Sequence, residues 1–483
     1  MSTLPTILPT AATDRRKLLL EGPIGNGLLR LAIPITLGNI LQTGYQMTDA
    51  FWVGRIGEAA VAAVAVSLPI TFLVIALSSG LAIAGATLSA QYMGAGRQDM
   101  VDRVAGQTMI MIVIASIVFG TAGYLLSPLL LHLMGVAPDV YVGALGFMRI
   151  SFVGILFVFT YAMFQALMRG IGQIRLPVIV VLGTVLLNFL LDPLFMFGWG
   201  PIAPHGVMGA ALATLCTQAL AALAGFTIFL RGRHGIHMRW KDLRPDPTYI
   251  KRAFLLGLPG SIELSTRGLG LVIMSFFAAS FGTLTTATYG VGSTILQIVT
   301  IPAMGISMAV STLVGQNMGA GNVQRAERAS MLGALAGGVV LTLVGAITWI
   351  FAPNIVAFFI PREPLVITEG ARFIRIMCLA WGGIGVQLSL VSTFRACGNM
   401  LAAMSIALFS QWLIQFPLAY GLSKHTALHA VGLWWSFPIT NVLGALGAVA
   451  WFARGSWKTG KLTEEKQEAA LVSTETVAEE RTF

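Results

Sequence analysis

Three carboxylates stand inside long apolar runs of this chain: Asp49, Asp192 and Glu263. An ionised side chain at mid-bilayer costs roughly 2.5–3.5 kcal/mol on insertion scales, so one kept there lines a wet cavity, binds a cation or carries a proton. Asp49 ends a polar stripe in which Asn39, Gln42, Gln46 and Asp49 share one helical face, with Tyr45 one turn below the acid. Thr184, Asn188 and Asp192 recur at four-residue intervals on a later run, and Thr214, Thr217 and Gln218 follow on the next. Both acids fall near the far end of runs that travel in the same direction, which predicts one depth for the pair. Two carboxyls at one depth, with amide and hydroxyl neighbours, describe a site that takes up and releases a proton. The competing reading ties each acid to a backbone amide or hydroxyl, with Asp192-Pro193 marking a helix end.

Glu263 stands four residues before Arg267, the spacing of an ion pair one helical turn apart. A structural pair accounts for both charges; a second ion or substrate site in that half is the alternative. Pro34 and Pro259, early in their runs, each remove a backbone hydrogen bond. Pro34 shares a helix with Asp49, so a protonation change at the acid could bias a bend there, making Pro34 a candidate hinge.

The elements that must position these residues follow from composition. Hydrophobic residues make up 56% of the 483 and charged residues 10%, with mean hydropathy +0.81. A soluble domain dresses its surface with about a quarter charged residues, so much of this surface must face lipid. Twelve apolar runs long enough to span (~20 residues each) lie at 28–53, 61–89, 104–126, 142–165, 176–197 and 206–229, then 253–281, 287–314, 329–351, 371–394, 400–420 and 431–452. The block Gln91-Tyr92-Met93-Gly94-Ala95-Gly96 returns as Gln316-Asn317-Met318-Gly319-Ala320-Gly321, and the same offset carries Pro34 to Pro259 and Gly80 to Gly305. One unit has been duplicated, and six spans per unit leave the copies in the same orientation, related by a pseudo-two-fold axis along the membrane normal. The expected fold is an all-α integral membrane protein of 12 transmembrane helices in two six-helix lobes.

The expected organisation is a cytoplasmic N-terminal segment over 1–27, a first lobe over 28–230, a cytoplasmic linker over 231–252, a second lobe over 253–453 and a mobile cytoplasmic tail over 454–483. Most of the 30 Lys and Arg residues fall in segments that an inside N-terminus would place in the cytoplasm, so both termini are expected there and the protein in the cell (inner) membrane. The first apolar run is too long for a cleaved signal peptide. Cys216, Cys378 and Cys397 show neither metal-ligand spacing nor a disulfide framework, and the six histidines fall in loops or at span ends. This predicts no metal site, no catalytic residues and no enzyme. The basic residues sit in short loops rather than on a continuous face, which excludes nucleic acid as a partner; the expected partners are small molecules and membrane lipids, with the chain acting as a monomer.

The Pro34 region, Thr48-Asp49 with Trp52 to Gly57, the two Gln-x-Met-Gly-Ala-Gly elbows, Arg169 to Gln173, Asn188 to Pro193 and Gly206 to Ala211 together resemble the multidrug and toxic compound extrusion (MATE) transporters over nearly all of 28–452. The resemblance implies two lobes around a central cleft that opens alternately to each side. It implies export of bulky, often cationic or amphipathic compounds against an inward flow of H+ or Na+, with no organic cofactor. The DinF-like branch is similar in placing its cation site in the first lobe, where Asp49, Asn188 and Asp192 match. Gln42, Tyr45, Gln46, Thr184, Thr214 and Gln218 are then expected around the substrate cavity. The NorM-like branch has further acids in spans 7 and 10; here span 10 has none between Glu369 and Arg395. The expected function is H+-coupled multidrug export. The alternatives are Na+ coupling and a lipid-linked saccharide flippase, for which the spans offer only Arg267 as a basic cavity residue.

Overall fold

In lipid every backbone polar group must be satisfied within its own segment, so apolar runs of this length become helices. The computed structural model describes residues 10–201 and 203–463. A short helix α1 (Thr10–Glu21) precedes the first lobe, which comprises α2 (Ile24–Gly54), α3 (Glu58–Gly94), α4 (Gln98–Leu133), α5 (Pro138–Gly170), α6 (Arg175–Phe197) and α7 (Val207–Arg231). The second lobe comprises α8 (Pro247–Ala279), α9 (Thr283–Val299), α10 (Ile301–Gly319), α11 (Val323–Ile350), a short α12 (Ala352–Phe359), α13 (Pro364–Cys378), α14 (Trp381–Ala396), α15 (Met400–Leu408), α16 (Phe416–Lys424) and α17 (Ala430–Ala453).

Among the described residues ten helices are each long and apolar enough to cross a membrane, and two bent pairs complete the twelve expected spans. The pair α9 and α10 bends by 41°, where Pro302 withholds its amide from the helix ladder. The pair α13 and α14 bends by 50° just ahead of Gly382, Gly383 and Gly385. The eleventh span runs unbroken from α15 to α16 through a π-helical stretch, Phe409–Gln415. Pro34 does not break α2.

The lobes meet through two equivalent pairings, α3 against α8 and α10 against α2. A Cβ on Gly80 would strike Ser261 and Gly257, and one on Gly305 would strike Thr36, which occupies the position in the first repeat that Ser261 holds in the second. The repeated elbows join the same seam. Gly96 and Gly321 turn the chain with φ of 75° and 78°, where a side chain would be strained. The equivalence continues in the hydrogen bonds. Gln91 Nε2 donates to the Ala396 carbonyl at 2.8 Å and Gln316 Nε2 to that of Gly170 at 3.0 Å. Thr87 Oγ1 donates to the Arg395 carbonyl at 3.3 Å and Thr312 Oγ1 to that of Arg169 at 3.0 Å. These bonds all lie toward the elbow end of the helices, so the lobes are locked together there.

Two terminal segments reinforce that end. Arg16 Nη2 of α1 donates to the Gly94 carbonyl at 2.9 Å, while Asn317 Nδ2 donates to the Leu19 carbonyl at 3.3 Å and Arg325 to that of Gly22. The opening of the expected mobile tail is docked as well. Trp457 is fully buried, stacked on Phe452 with centroids 4.9 Å apart, and the Leu462 amide donates to Gln91 Oε1 at 2.7 Å. Burial of one aromatic ring and a bond into the seam hold residues 454–463 in place; 464–483 and 1–9 lie outside the described residues.

The linker between the lobes folds under α4. Gln107 Nε2 donates to the carbonyls of Asp242 and Arg244, and Arg103 pairs with Asp246 at 2.5 Å. Asp246 caps α8 by accepting from the amides of Thr248 and Tyr249, and the Tyr249 amide is the main reason its carboxyl sits below the ordinary aspartate range.

Candidate functional site

Helical spacing puts Tyr45 and Asp49 one turn apart on α2, and Thr184, Asn188 and Asp192 on successive turns of α6. α2, α6 and α7 pack together in the first lobe. The Asp49 carboxyl meets the side chains of Asp192, Asn188 and Thr214, and Asn188 Nδ2 donates to Asp192 Oδ1 at 3.0 Å. Tyr45 Oη and Thr217 Oγ1 share a hydrogen bond of 2.8 Å beneath the acids, and Thr217 Oγ1 donates to the Thr214 carbonyl at 3.0 Å.

Asn188 and Asp192 are fully buried. Asp49 Oδ1, Asn188 Oδ1 and Asp192 Oδ2 are buried oxygens without a donor. Buried acceptors are nearly always satisfied, so a cluster of them around two carboxyls suits a proton or a small cation. Beyond the acids, the outer surface of α2 and α6 carries an aromatic cluster in which Phe51, Phe189 and Phe197 are exposed. Trp52, one turn beyond Asp49, has ring centroids 5.9 Å from Phe189 and 6.2 Å from Phe197, and the Arg55 guanidinium lies 4.4 Å over Phe51.

The remaining residues expected around a substrate cavity divide. Tyr45, Thr184 and Gln218 are buried in the lobe interior rather than set on an open wall. Gln42 is half-buried and Gln46 exposed, and neither bonds to the carboxyl cluster. Thr214 is half-buried and faces Asp49.

A second polar stripe leads away from the acids. On α5, Tyr161, Gln165 and Arg169 succeed one another turn by turn, running antiparallel to the stripe on α6. The Tyr161 hydroxyl lies against Thr184 and Gln165, and Arg169 Nη1 reaches Gln165 Oε1 at 3.4 Å. The four-residue spacing of Tyr161, Gln165 and Arg169 is the mark of this stripe in the sequence, absent from the expected site residues.

Arg169 opens into a cavity of about 310 Å³ between the lobes, which Arg267 and Arg395 also line. The expected pair of Glu263 and Arg267 is present at 3.1 Å, but it is not isolated. Arg395 grips Glu263 with two contacts, Nη2 to Oε1 at 2.5 Å and Nε to Oε2 at 3.2 Å, and Glu263 is fully buried. Arg395 falls just past the tenth expected span, 371–394, where its spacing alone gives no partner. The repeat held the clue, because Arg395 closes α14 as Arg169 closes α5. The second lobe carries no copy of the acid pair: Met274 occupies the position equivalent to Asp49.

Comparison with known proteins gives one consistent picture. The MatE family model matches residues 34–194 and 261–421, one stretch in each lobe. YpnP of Bacillus subtilis (strain 168), described as a probable multidrug resistance protein, is 28% identical over 452 residues, 92% of this chain and 98% of its own. A protein of Shewanella oneidensis described as an FAD transporter is 24% identical, covering 88% of this chain and 93% of its own. Among solved structures, the outward-facing conformation of a multidrug resistance MATE family transporter superposes with a TM-score of 0.85 at 23% identity, over 92% of this chain and 98% of that one.

Proposed function

The chain belongs to the MatE family, and from that premise we propose that it is a secondary active exporter that extrudes bulky amphipathic compounds by alternating access in exchange for inward H+. It is a membrane transporter and not an enzyme. One observation carries the coupling: Asp49 meets Asp192 in a buried pocket where Asp49 Oδ1, Asn188 Oδ1 and Asp192 Oδ2 lack donors. Two touching carboxylates repel, and a single shared proton both removes the repulsion and supplies the missing donor. Sodium would need several of these oxygens drawn into a coordination shell, whereas a proton needs only the contact already made.

The coupling route runs along the two antiparallel stripes. Protonation of the acid pair would alter the bonding of Asn188 and Thr184 on α6, and Tyr161 and Gln165 would pass that change to Arg169 at the inter-lobe cavity. The locked elbow end fits an exporter whose cleft faces outward, ready to release cargo and take up protons. A flippase for lipid-linked saccharides is the second reading, favoured by the arginines of the inter-lobe cavity; the family match over both repeats keeps it second.

The test is substrate-stimulated proton flux in proteoliposomes across a panel of amphipathic compounds, under a pH gradient without sodium and under a sodium gradient at fixed pH. The pH gradient is expected to drive transport. Asp49→Asn and Asp192→Asn are each expected to lower it at least tenfold, the loss that follows from removing a coupling proton worth more than about 1.4 kcal/mol. Transport driven by sodium alone, or undiminished in both variants, would remove the proton from the mechanism.

A further inference from the structure

Three arginines line the elbow end of the inter-lobe cavity, and among the described residues one carboxylate, Glu263, meets them. Arg169 and Arg395 arrive as equivalents from the two repeats and Arg267 enters from α8, while Glu263 neutralises a single charge. Among the described residues the surplus finds no further carboxylate: Arg267 Nε is buried without an acceptor, and the side-chain hydrogen bond of Arg169 is the long 3.4 Å contact with Gln165. The surplus positive charge opens to the cavity, where the Arg267 side chain is 39% exposed, and an oxyanion there would gain charge-assisted hydrogen bonds from it. Ser307 and Ser392, also on the cavity wall, satisfy each other through a hydrogen bond of 2.6 Å, and the charged donors of this space are the arginines.

Arg267 also borders a second cavity of about 340 Å³ inside the second lobe, where Gln297, Gln387, Gln411 and Asn441 present amides. The π-helical stretch forms part of its wall, and Gly270 leaves the room that the Gln411 amide occupies. Isolated π-helical turns are frequent at functional sites because the widened helix re-aims its side chains. Arg267, Met304 and Leu388 line both cavities, so the two adjoin along these side chains.

We infer that the two adjoining cavities bind an amphipathic organic anion, its phosphate or carboxylate group held by Arg169, Arg267 and Arg395 and its body reaching past Arg267 among the second-lobe amides. Guanidinium groups suit such oxyanions because their planar donors match them two at a time. For the exporter reading on which it rests, the inference sets the charge of the cargo as negative, where the resemblance had suggested cations. The anionic group could belong to a soluble compound or to a membrane phospholipid.

The test is equilibrium binding by titration calorimetry to the full chain in lipid nanodiscs without any gradient, so it reads the site whether or not transport is proton-coupled. The probes are hexyl phosphate and hexyltrimethylammonium. The wild-type chain is expected to bind the phosphate and not the ammonium. Arg267→Gln is expected to weaken phosphate binding about tenfold or more, Arg267→Lys less, and Glu263→Gln to tighten it by adding net positive charge. Nanodiscs of phosphatidylcholine alone, compared with nanodiscs containing phosphatidylglycerol, separate the two sources. Competition by the anionic lipid assigns the site to a headgroup, and its absence assigns it to a free amphiphile. Equal binding of the two probes, or phosphate binding unchanged in folded Arg267→Gln protein, overturns the inference. Should that variant fail to fold, the wild-type contrast between the probes decides alone.

Discussion

Gly94 of the first repeat lies against the backbone carbonyl of Gln316 in the second, and Gly319 lies against that of Gln91. Each glycine serves where a side chain would collide with main chain, so the elbow seam closes only because both repeats keep a glycine at this position. Gly319→Ala is therefore expected to hold the seam open and shift the protein away from the elbow-closed state. Cys397 beside the seam is buried, and burial pushes its thiol pKa up, leaving it inert to maleimide while the seam is shut. In a chain with Cys216 and Cys378 replaced by Ser, labelling of Cys397 should rise at least tenfold with Gly319→Ala, in proportion to the open population. Unchanged labelling would show that the glycines do not control closure.

Pro34 stands within an unbroken α2, two residues before Thr36, which packs on Gly305 across the lobe interface. Its missing amide weakens α2 beside its contact with the other lobe, on the same helix that carries Asp49 toward its far end. Pro34→Ala restores a helix bond and is expected to raise thermal stability slightly while flattening the pH dependence of transport. Proton-flux profiles measured across a range of pH would check this. A variant with the wild-type profile would remove the hinge role from Pro34.

Glu263 depends on Arg395 more than on its own-helix neighbour Arg267, because Arg395 is the less exposed partner and makes two contacts. Removing Arg395 leaves the fully buried Glu263 with the more exposed Arg267 alone, part of a pairing whose complete loss costs about 3–5 kcal/mol. Arg395→Gln should show a loss below that range in chemical or thermal unfolding in detergent, and Arg267→Gln a clearly smaller one. The opposite ranking would mean that the own-helix pair carries the stability.

Trp457 is the anchor of the segment after α17, with its ring stacked on Phe452 and its indole N–H donating to the Phe452 carbonyl at 3.0 Å. Trp457→Ala should cost about 3–5 kcal/mol, as truncation of a buried aromatic does. The same variant should expose the Gln91 end of the seam to proteolysis between residues 455 and 463. Protection equal to wild type would show that the segment is held by its hydrogen bonds alone.

The sequence by itself determined the class, the twelve spans, the duplication and the two acid-bearing stripes, because each rests on local periodicity: an apolar run must be helical in lipid, and polar residues three or four apart must share a face. It also placed Asp49 and Asp192 at one depth, since both spans run the same way. Local spacing could not decide which helices touch. That Arg395 would cross 132 positions to take Glu263, that Tyr161 would face Thr184, and that three arginines would outnumber one carboxylate in a single cavity depend on how α5, α8 and α14 pack across the two lobes. The duplicated chain settles its own symmetry; the charge at the centre of that symmetry is set by the side chains that tertiary packing brings within a few ångströms of one another.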